Sequence, residues 1–139
     1  MKIKIKKLHP DARIPAYAHP GDAGLDLFSL ETHTLQPKEA KLFKLGFALE
    51  FPHGYVALVK DKGSFAQRSI HSLGGVFDAG FRGEYNAHLI NLGNESYTIE
   101  KGHKLAQLVI LPIITAELEE TDKLNDSSRG MGQFGSTGK

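Results

Sequence analysis

Five short islands of small and polar residues stand out for the chemistry they could carry. In chain order they are Asp22-Ala23-Gly24-Leu25-Asp26-Leu27, Asp61-Lys62-Gly63-Ser64-Phe65-Ala66, Gly74-Gly75-Val76-Phe77-Asp78-Ala79-Gly80-Phe81-Arg82-Gly83, Gly102-His103-Lys104-Leu105-Ala106-Gln107-Leu108, and Arg129 to Gly138. In each, small residues let a ligand approach the backbone while one or two side chains offer polar groups. Lys62, Ser64, Gln107 and Arg129 are donors suited to phosphate oxygens. Asp26 and Asp78 can serve magnesium and a nucleophilic water. Phe81 and Phe134 can pack on a sugar and a base. Together these groups suggest hydrolysis of a nucleoside triphosphate. Each island alone is weak, because Asp-Ala-Gly or Arg-Gly fits many turns.

Other motif readings fail on context. Gly130-Met131-Gly132-Gln133-Phe134-Gly135 matches G-x-G-x-x-G, but a dinucleotide site needs a strand before it and a helix after it, and a polar stretch precedes it here. A P-loop needs lysine where Ser136 stands. The seven histidines (His9, His19, His33, His53, His71, His88, His103) are scattered singly, which argues against a histidine metal site. With no cysteine, thiol catalysis, disulfides and cysteine-ligated metals are excluded. Asn94-Glu95-Ser96 and Asn125-Asp126-Ser127 match a glycosylation pattern that means little without a secretory signal.

These islands need a scaffold, and the scaffold reads as strands. The chain has 139 residues, enough for one domain with its own core. Apolar residues at 40% and charged residues at 24% place it among globular proteins. Lys2-Ile3-Lys4-Ile5-Lys6 alternates with period two, and its lysine row reads as a solvated strand face. Further strands are expected around Leu25–Leu30, Ala40–Phe51, Tyr55–Lys60, Glu84–Leu92 and Leu105–Ala116, separated by Gly, Pro and Asn turns. That spacing argues for a sandwich or barrel. Only Ser64–Ser69 reads as a helix, and a short one. From about Thr121 the chain turns polar and Gly-rich, so residues 121–139 are expected to be a flexible tail beside a β domain over residues 1–120. Arg129 and Phe134, a cation and a ring among glycines, suit a segment that orders over a charged, planar ligand. No apolar run approaches the roughly 20 residues that span a bilayer. A net charge of +1 lacks the basic excess that a stable nucleic-acid complex needs. A cytoplasmic protein is the default expectation.

Taken together and in this order, the islands are specific. Ala23-Gly24-Leu25-Asp26-Leu27, Gly75-Val76-Phe77-Asp78 with Arg82-Gly83, Leu105-Ala106-Gln107-Leu108, and Arg129-Gly130 followed by Phe134-Gly135-Ser136-Thr137-Gly138 resemble the motifs of the trimeric deoxyuridine triphosphatase (dUTPase) family. The likeness runs from about residue 20 to residue 138. It implies an all-β, jelly-roll-like barrel or sandwich with one short helix and a flexible C-terminal tail that closes over the active site. It implies a homotrimer with inter-subunit sites. The reaction would be hydrolysis of dUTP to dUMP and pyrophosphate with Mg2+, which keeps uracil out of DNA and supplies dUMP for dTMP synthesis. Carried over by position, Asp78 would activate the water, and Asp26 would hold magnesium through water. Lys62, Gly63, Ser64, Gln107 and Arg129 would line the phosphates. The backbone at Gly75 and Val76 would read the uracil edge, and Phe81 would pack under the deoxyribose. Phe134 would stack on uracil, with Gly135, Ser136 and Thr137 closing on the phosphates.

The likeness has departures. The second motif usually begins Arg-Ser-Gly or Arg-Ser-Ser, and here it is Lys62-Gly63-Ser64, which keeps a charge but loses the bidentate fork. The family's tyrosine is Phe81. Gln133 stands where glycine is common. Asp78-Ala79-Gly80-Phe81 also resembles the matching loop of dCTP deaminases, a sister branch, but that branch carries a glutamate where this chain has His88. A non-catalytic trimeric binder is the third reading.

Overall fold

The computed structural model describes residues 1–138 and builds the chain from short strands with one helical turn. The strands are β1 (Lys4–Lys7), β2 (Leu25–Phe28), β3 (His33–Leu35), β4 (Ala40–Lys44), β5 (Phe47–Glu50), β6 (Tyr55–Lys60), β7 (Ile70–Leu73), β8 (Val76–Asp78), β9 (Asn86–Asn91), β10 (Tyr97–Ile99) and β11 (Lys104–Pro112). The helix α1 is a single turn, Gly63–Ala66. No helix among the described residues is long and apolar enough to cross a membrane.

Two sheets carry the architecture. One has the order β2-β11-β6-β8 and the other β4-β9-β7, with the two-stranded pairs β1-β5 and β3-β10 at their margins. Their inner faces meet in one apolar cluster. Leu27, Ala57, Val59, Leu105, Ala106 and Leu108 come from the first sheet, and Phe43, Ile70, Ala87 and Leu89 from the second. Two sheets packed through interdigitated side chains make a sandwich. The all-β expectation therefore holds, in its sandwich form rather than as a closed barrel.

Several boundaries differ from those the sequence suggests. Ala40–Phe51, read as one strand, is two: the chain turns at Leu45-Gly46, where the Leu45 N–H donates to the Tyr85 carbonyl at 3.0 Å and the Gly46 N–H to Glu84 Oε1 at 3.1 Å. β11 stops at Pro112, not Ala116. Ile113 donates once to the Gly54 carbonyl at 2.8 Å, and from there to residue 138 every residue is exposed. The last residue of the expected tail, Lys139, lies outside the described residues. The lysine row of β1 faces solvent, with Lys4 Nζ 2.7 Å from Glu50 Oε1.

Tyr85 is fully buried, stacked on Phe77 at 4.3 Å and on Phe47 at 5.4 Å between centroids. Burial pushes its phenol pKa up to about 12 against the pull of the Arg82 cation. Its hydroxyl has no hydrogen-bond partner among the described residues. A buried unsatisfied hydroxyl costs about 1–3 kcal/mol, so Tyr85→Phe is expected to raise stability by roughly 1 kcal/mol. A urea-unfolding midpoint equal to or below that of the parent would show that the hydroxyl is satisfied.

Candidate active site

Strand register decides which polar residues share a face. In the four-stranded sheet, Gln107 lies opposite Asp26 on one side and Lys60 on the other, while Asp78 lies opposite Val56 and Val76 opposite Leu58. Directly opposed residues point the same way, and alternate residues of a strand do too. Asp26, Gln107, Lys60, Val76 and Asp78 therefore occupy the outer face, while Leu27, Ala106, Leu108, Ala57, Val59 and Phe77 occupy the inner one. A β-bulge between Lys104 and Ala106 shifts the pairing by one residue. Lys104 and Gln107, an odd number apart, consequently both reach the face of Asp26. Lys104 Nζ sits 2.6 Å from Asp26 Oδ2, whose side chain is only 14% exposed.

The second island follows β6 directly. Asp61 leaves the sheet, Lys62 precedes α1, and Gly63 and Ser64 open the helical turn to solvent. Gln107 Nε2 donates to the Asp61 carbonyl at 2.7 Å, so the fourth island holds the second. The first island closes on the same group: a Cβ on Gly24 would collide with Gln107 Oε1, so a larger residue here would push the amide aside. Asp61 Oδ1 accepts the Ser72 N–H at 2.6 Å, and Oδ2 lies 2.6 Å from His71 Nδ1. Burial raises the Asp61 pKa, but the bonds from Ser72 and His71 outweigh it and leave it below the ordinary carboxylate value. The clasp therefore adds stability above the ordinary carboxylate pKa, and that stability is lost as pH falls through the lowered one.

The third island starts by crossing between sheets. β7 and β8 belong to different sheets and do not pair, so Gly74-Gly75 is a corner rather than the turn of a hairpin. Gly75 has φ 83°, and a Cβ there would stand 2.7 Å from the Val59 carbonyl oxygen, which the sheet cannot move. The Val59 N–H donates to the Gly75 carbonyl at 2.8 Å. Asp78 is exposed at the end of β8, and the Phe81 N–H closes a turn onto its carbonyl at 3.0 Å. Arg82 Nη1 bonds the Ala79 carbonyl at 2.6 Å and the Phe81 carbonyl at 3.0 Å, which fixes that turn. The Phe81 ring leans on Phe77 and Tyr85 at 5.6 and 5.9 Å.

The structure thus gathers Asp26, Lys62, Gly63, Ser64 and Gln107 at one end of the sheet. Gly75, Val76, Asp78 and Phe81 form a second group on the same chain. The register puts Asp78 four residues along the strands and two strands across from Gln107, about 13 Å by about 10 Å on standard strand spacing. The third group stands apart from both. Arg129, Phe134, Gly135, Ser136 and Thr137 lie in the exposed tail, where Arg129 Nε bonds only the nearby Gly132 carbonyl at 2.9 Å and Phe134 is 94% exposed. His88 is in β9 of the other sheet, paired with Leu42 and Leu73. Sequence reasoning assigned nothing to Asp61, His71 or Lys104. Asp61 opens the second island, which was a usable signal, whereas the contact of Lys104 with Asp26 depends on the bulge and had none.

Carboxylates, a lysine and an amide on the open face of an all-β sandwich suit the binding of a nucleotide polyphosphate. The dUTPase family model matches residues 10–138, and the chain belongs to the dUTPase family. It is 42% identical over 140 residues to the deoxyuridine 5'-triphosphate nucleotidohydrolase of Clostridium tetani (strain Massachusetts / E88), covering 99% of this chain and 97% of that one. It is likewise 42% identical over 142 residues to that of Nautilia profundicola (strain ATCC BAA-1463 / DSM 18972 / AmH), covering 100% of both. Among solved structures, a variant of the Staphylococcus bacteriophage 80alpha dUTPase with dUpNHpp superposes with TM-score 0.92 at 32% identity, over 99% of this chain and 98% of that one. A variant of the dUTPase from phage phi11 of S. aureus, described with a structural Mg(II) ion, superposes with TM-score 0.83 at 29% identity, over 91% of this chain and 100% of that one. The protein is an enzyme that hydrolyses dUTP.

Proposed function

We propose that this enzyme works as a homotrimer whose active sites are each assembled from more than one subunit. The observation that carries this reading is the separation of Asp78 from the Lys62, Ser64 and Gln107 donors on a single sheet face. The sheet face between them supports it, because Val76, 66% exposed, and Leu111, also exposed, lie on it. Exposed apolar side chains on one sheet face suit a protein contact.

In this reading Asp78 accepts a proton from water as its oxygen attacks the α-phosphorus. The bond from that phosphorus to the oxygen bridging to the β-phosphorus breaks, and pyrophosphate leaves. Lys62, Gly63, Ser64, Gln107 and Arg129 bind the phosphates. The backbone of Gly75 and Val76 reads uracil, and Phe81 packs under the sugar. The tail, residues 121–139, closes over the nucleotide with Phe134 on the base and Gly135, Ser136 and Thr137 on the phosphates.

The residues present suit magnesium of a particular kind. No group of three or more His, Asp or Glu side chains is placed to cage an ion among the described residues. Asp26 stands alone and half-committed to Lys104. Magnesium commonly keeps several waters and is held by one carboxylate together with substrate phosphates. Asp26 fits that role, holding one of those waters. When bound, the ion offsets phosphate charge and orients the polyphosphate. Asp26 then contributes alignment, and Lys104 keeps its carboxylate pointed along the sheet face.

Subunit complementation tests the composite site. Asp78→Asn protein and tail-truncated protein, each nearly inactive, are expected to regain dUTP hydrolysis when co-refolded, because some sites then combine an intact Asp78 with another chain's tail. No recovery in mixed trimers, or a monomer by light scattering, would return the site to one chain.

Two further outcomes follow from contacts at the sugar and at the phosphate loop. Phe81→Ala is expected to narrow the ratio of kcat/KM for dUTP over UTP by at least about tenfold, since a ring that leaves no room for a 2′-hydroxyl is lost. An unchanged ratio would make Phe81 a core residue. A Cβ on Gly63 meets nothing within 4 Å. Gly63→Ser is therefore expected to fold normally and to raise kcat/KM a few-fold, about the value of one added hydrogen bond. A lower kcat/KM with intact folding would show that the departure at Gly63 is needed.

A further inference from the structure

Asp61 is the carboxylate of the second island that the reading above leaves without a contact to nucleotide. It stands between the last residue of β6 and Lys62, and three of its oxygens are engaged. Oδ1 takes the Ser72 N–H at 2.6 Å, Oδ2 lies 2.6 Å from His71 Nδ1, and the main-chain carbonyl takes Gln107 Nε2 at 2.7 Å. Ser72 and His71 belong to β7 in the opposite sheet, and Gln107 belongs to β11. One residue therefore ties the start of the Lys62-Gly63-Ser64 loop to both sheets.

We infer that Asp61, held by His71 and the Ser72 amide, is a positioning residue that fixes the Lys62–Ser64 loop and the Gln107 amide for a polyphosphate. The inference rests on the reading of Lys62, Ser64 and Gln107 as phosphate donors. Its physical basis is twofold. Gly63 leaves the loop backbone free to adopt many conformations, and a doubly bonded carboxylate immediately before Lys62 removes that freedom. The Gln107 amide has two N–H bonds. One is spent on the Asp61 carbonyl, Oε1 is turned toward Gly24, and the second N–H is left to point at a phosphate oxygen. A shift of Asp61 would misplace the lysine and the amide together. The pair is accessible to change, since the His71 side chain is half exposed.

The test uses the full-length protein and two ligands, dUpNHpp and dUMP, with affinities from calorimetry. Asp61→Ala is expected to weaken dUpNHpp about tenfold, the scale of a charge-assisted hydrogen bond, and to change dUMP far less. His71→Ala, at an exposed position that folding tolerates, is expected to weaken dUpNHpp about threefold, as one of the two clasps is lost. His71→Asn, which still offers an N–H to Asp61 Oδ2, is expected to recover most of that loss, which a merely structural role would not predict. Lys62→Ala is the control. If it fails to weaken dUpNHpp selectively, the phosphate-loop reading falls and the positioning role falls with it. If Lys62→Ala is selective while Asp61→Ala and His71→Ala weaken both ligands equally or neither, the positioning role alone is overturned.

Discussion

Replacing Asp78 by asparagine is expected to lower dUTP turnover about 10²- to 10⁴-fold, the usual size of a lost general base. The fold should not register the change. Asp78 is exposed, its carboxylate has no partner among the described residues, and the turn it starts depends on its main-chain carbonyl, which asparagine retains. Its neighbours Val56 and Phe77 keep their places in the sheet and the aromatic stack. Pyrophosphate release at saturating dUTP, thermal melting and mass by light scattering check the three parts of the expectation. Turnover near that of the parent would end the assignment of Asp78, and a lowered melting point would recast it as a structural residue.

Removal of Ser128–Lys139 should give a protein that folds and assembles but has little activity. Residues 114–138 form hydrogen bonds only within their own segment among the described residues, and Phe134 and Met131 are exposed. The core therefore loses nothing when they go. The site loses Arg129, a permanent cation for the terminal phosphate, and the ring of Phe134. Ordering such a segment over bound nucleotide excludes water from the reacting phosphate, as lids do. Phe134→Ala alone should reproduce part of the loss, about 1–3 kcal/mol in the free energy of the bound nucleotide if base stacking elsewhere is a guide. A truncated enzyme at full rate would refute the lid. One that fails to fold would show that the tail is structural.

The parts of this molecule that were legible in its sequence share a cause. Tyr55–Lys60 is a short apolar run preceded by the Pro52-His53-Gly54 turn, and β6 spans those same six residues. The glycine-flanked islands were legible because glycine marks close approaches of the chain to itself, as Gly24 and Gly75 do. The three-residue strands β3, β8 and β10 have too few positions to display a period. The break at Leu45-Gly46 is set by Tyr85 and Glu84, some forty residues on, which a local pattern cannot see. Within the candidate site, the polar islands were visible in the sequence but the grouping of their residues was not. Asp61 meets His71 and Ser72 only because two sheets face each other, and Lys104 meets Asp26 only through the bulge.

That bulge bears on how the length of this chain can change. β11 is at once a wall of the core, through Leu105, Ala106 and Leu108, and a wall of the site, through Lys104 and Gln107. Its side chains alternate, so gaining or losing one residue between Leu105 and Ile110 would turn the core residues outward and bury the Gln107 amide. The bulge is a half-step already spent. Deleting Leu105 would straighten the ladder and leave Lys104 on the face of Asp26, but the core would lose a fully buried side chain. Length variants of this enzyme should therefore tolerate insertions at the exposed Asn94–Ser96 loop or between Leu118 and Ser127, where no ladder is interrupted. Within β11 the count of residues is as fixed as their identity.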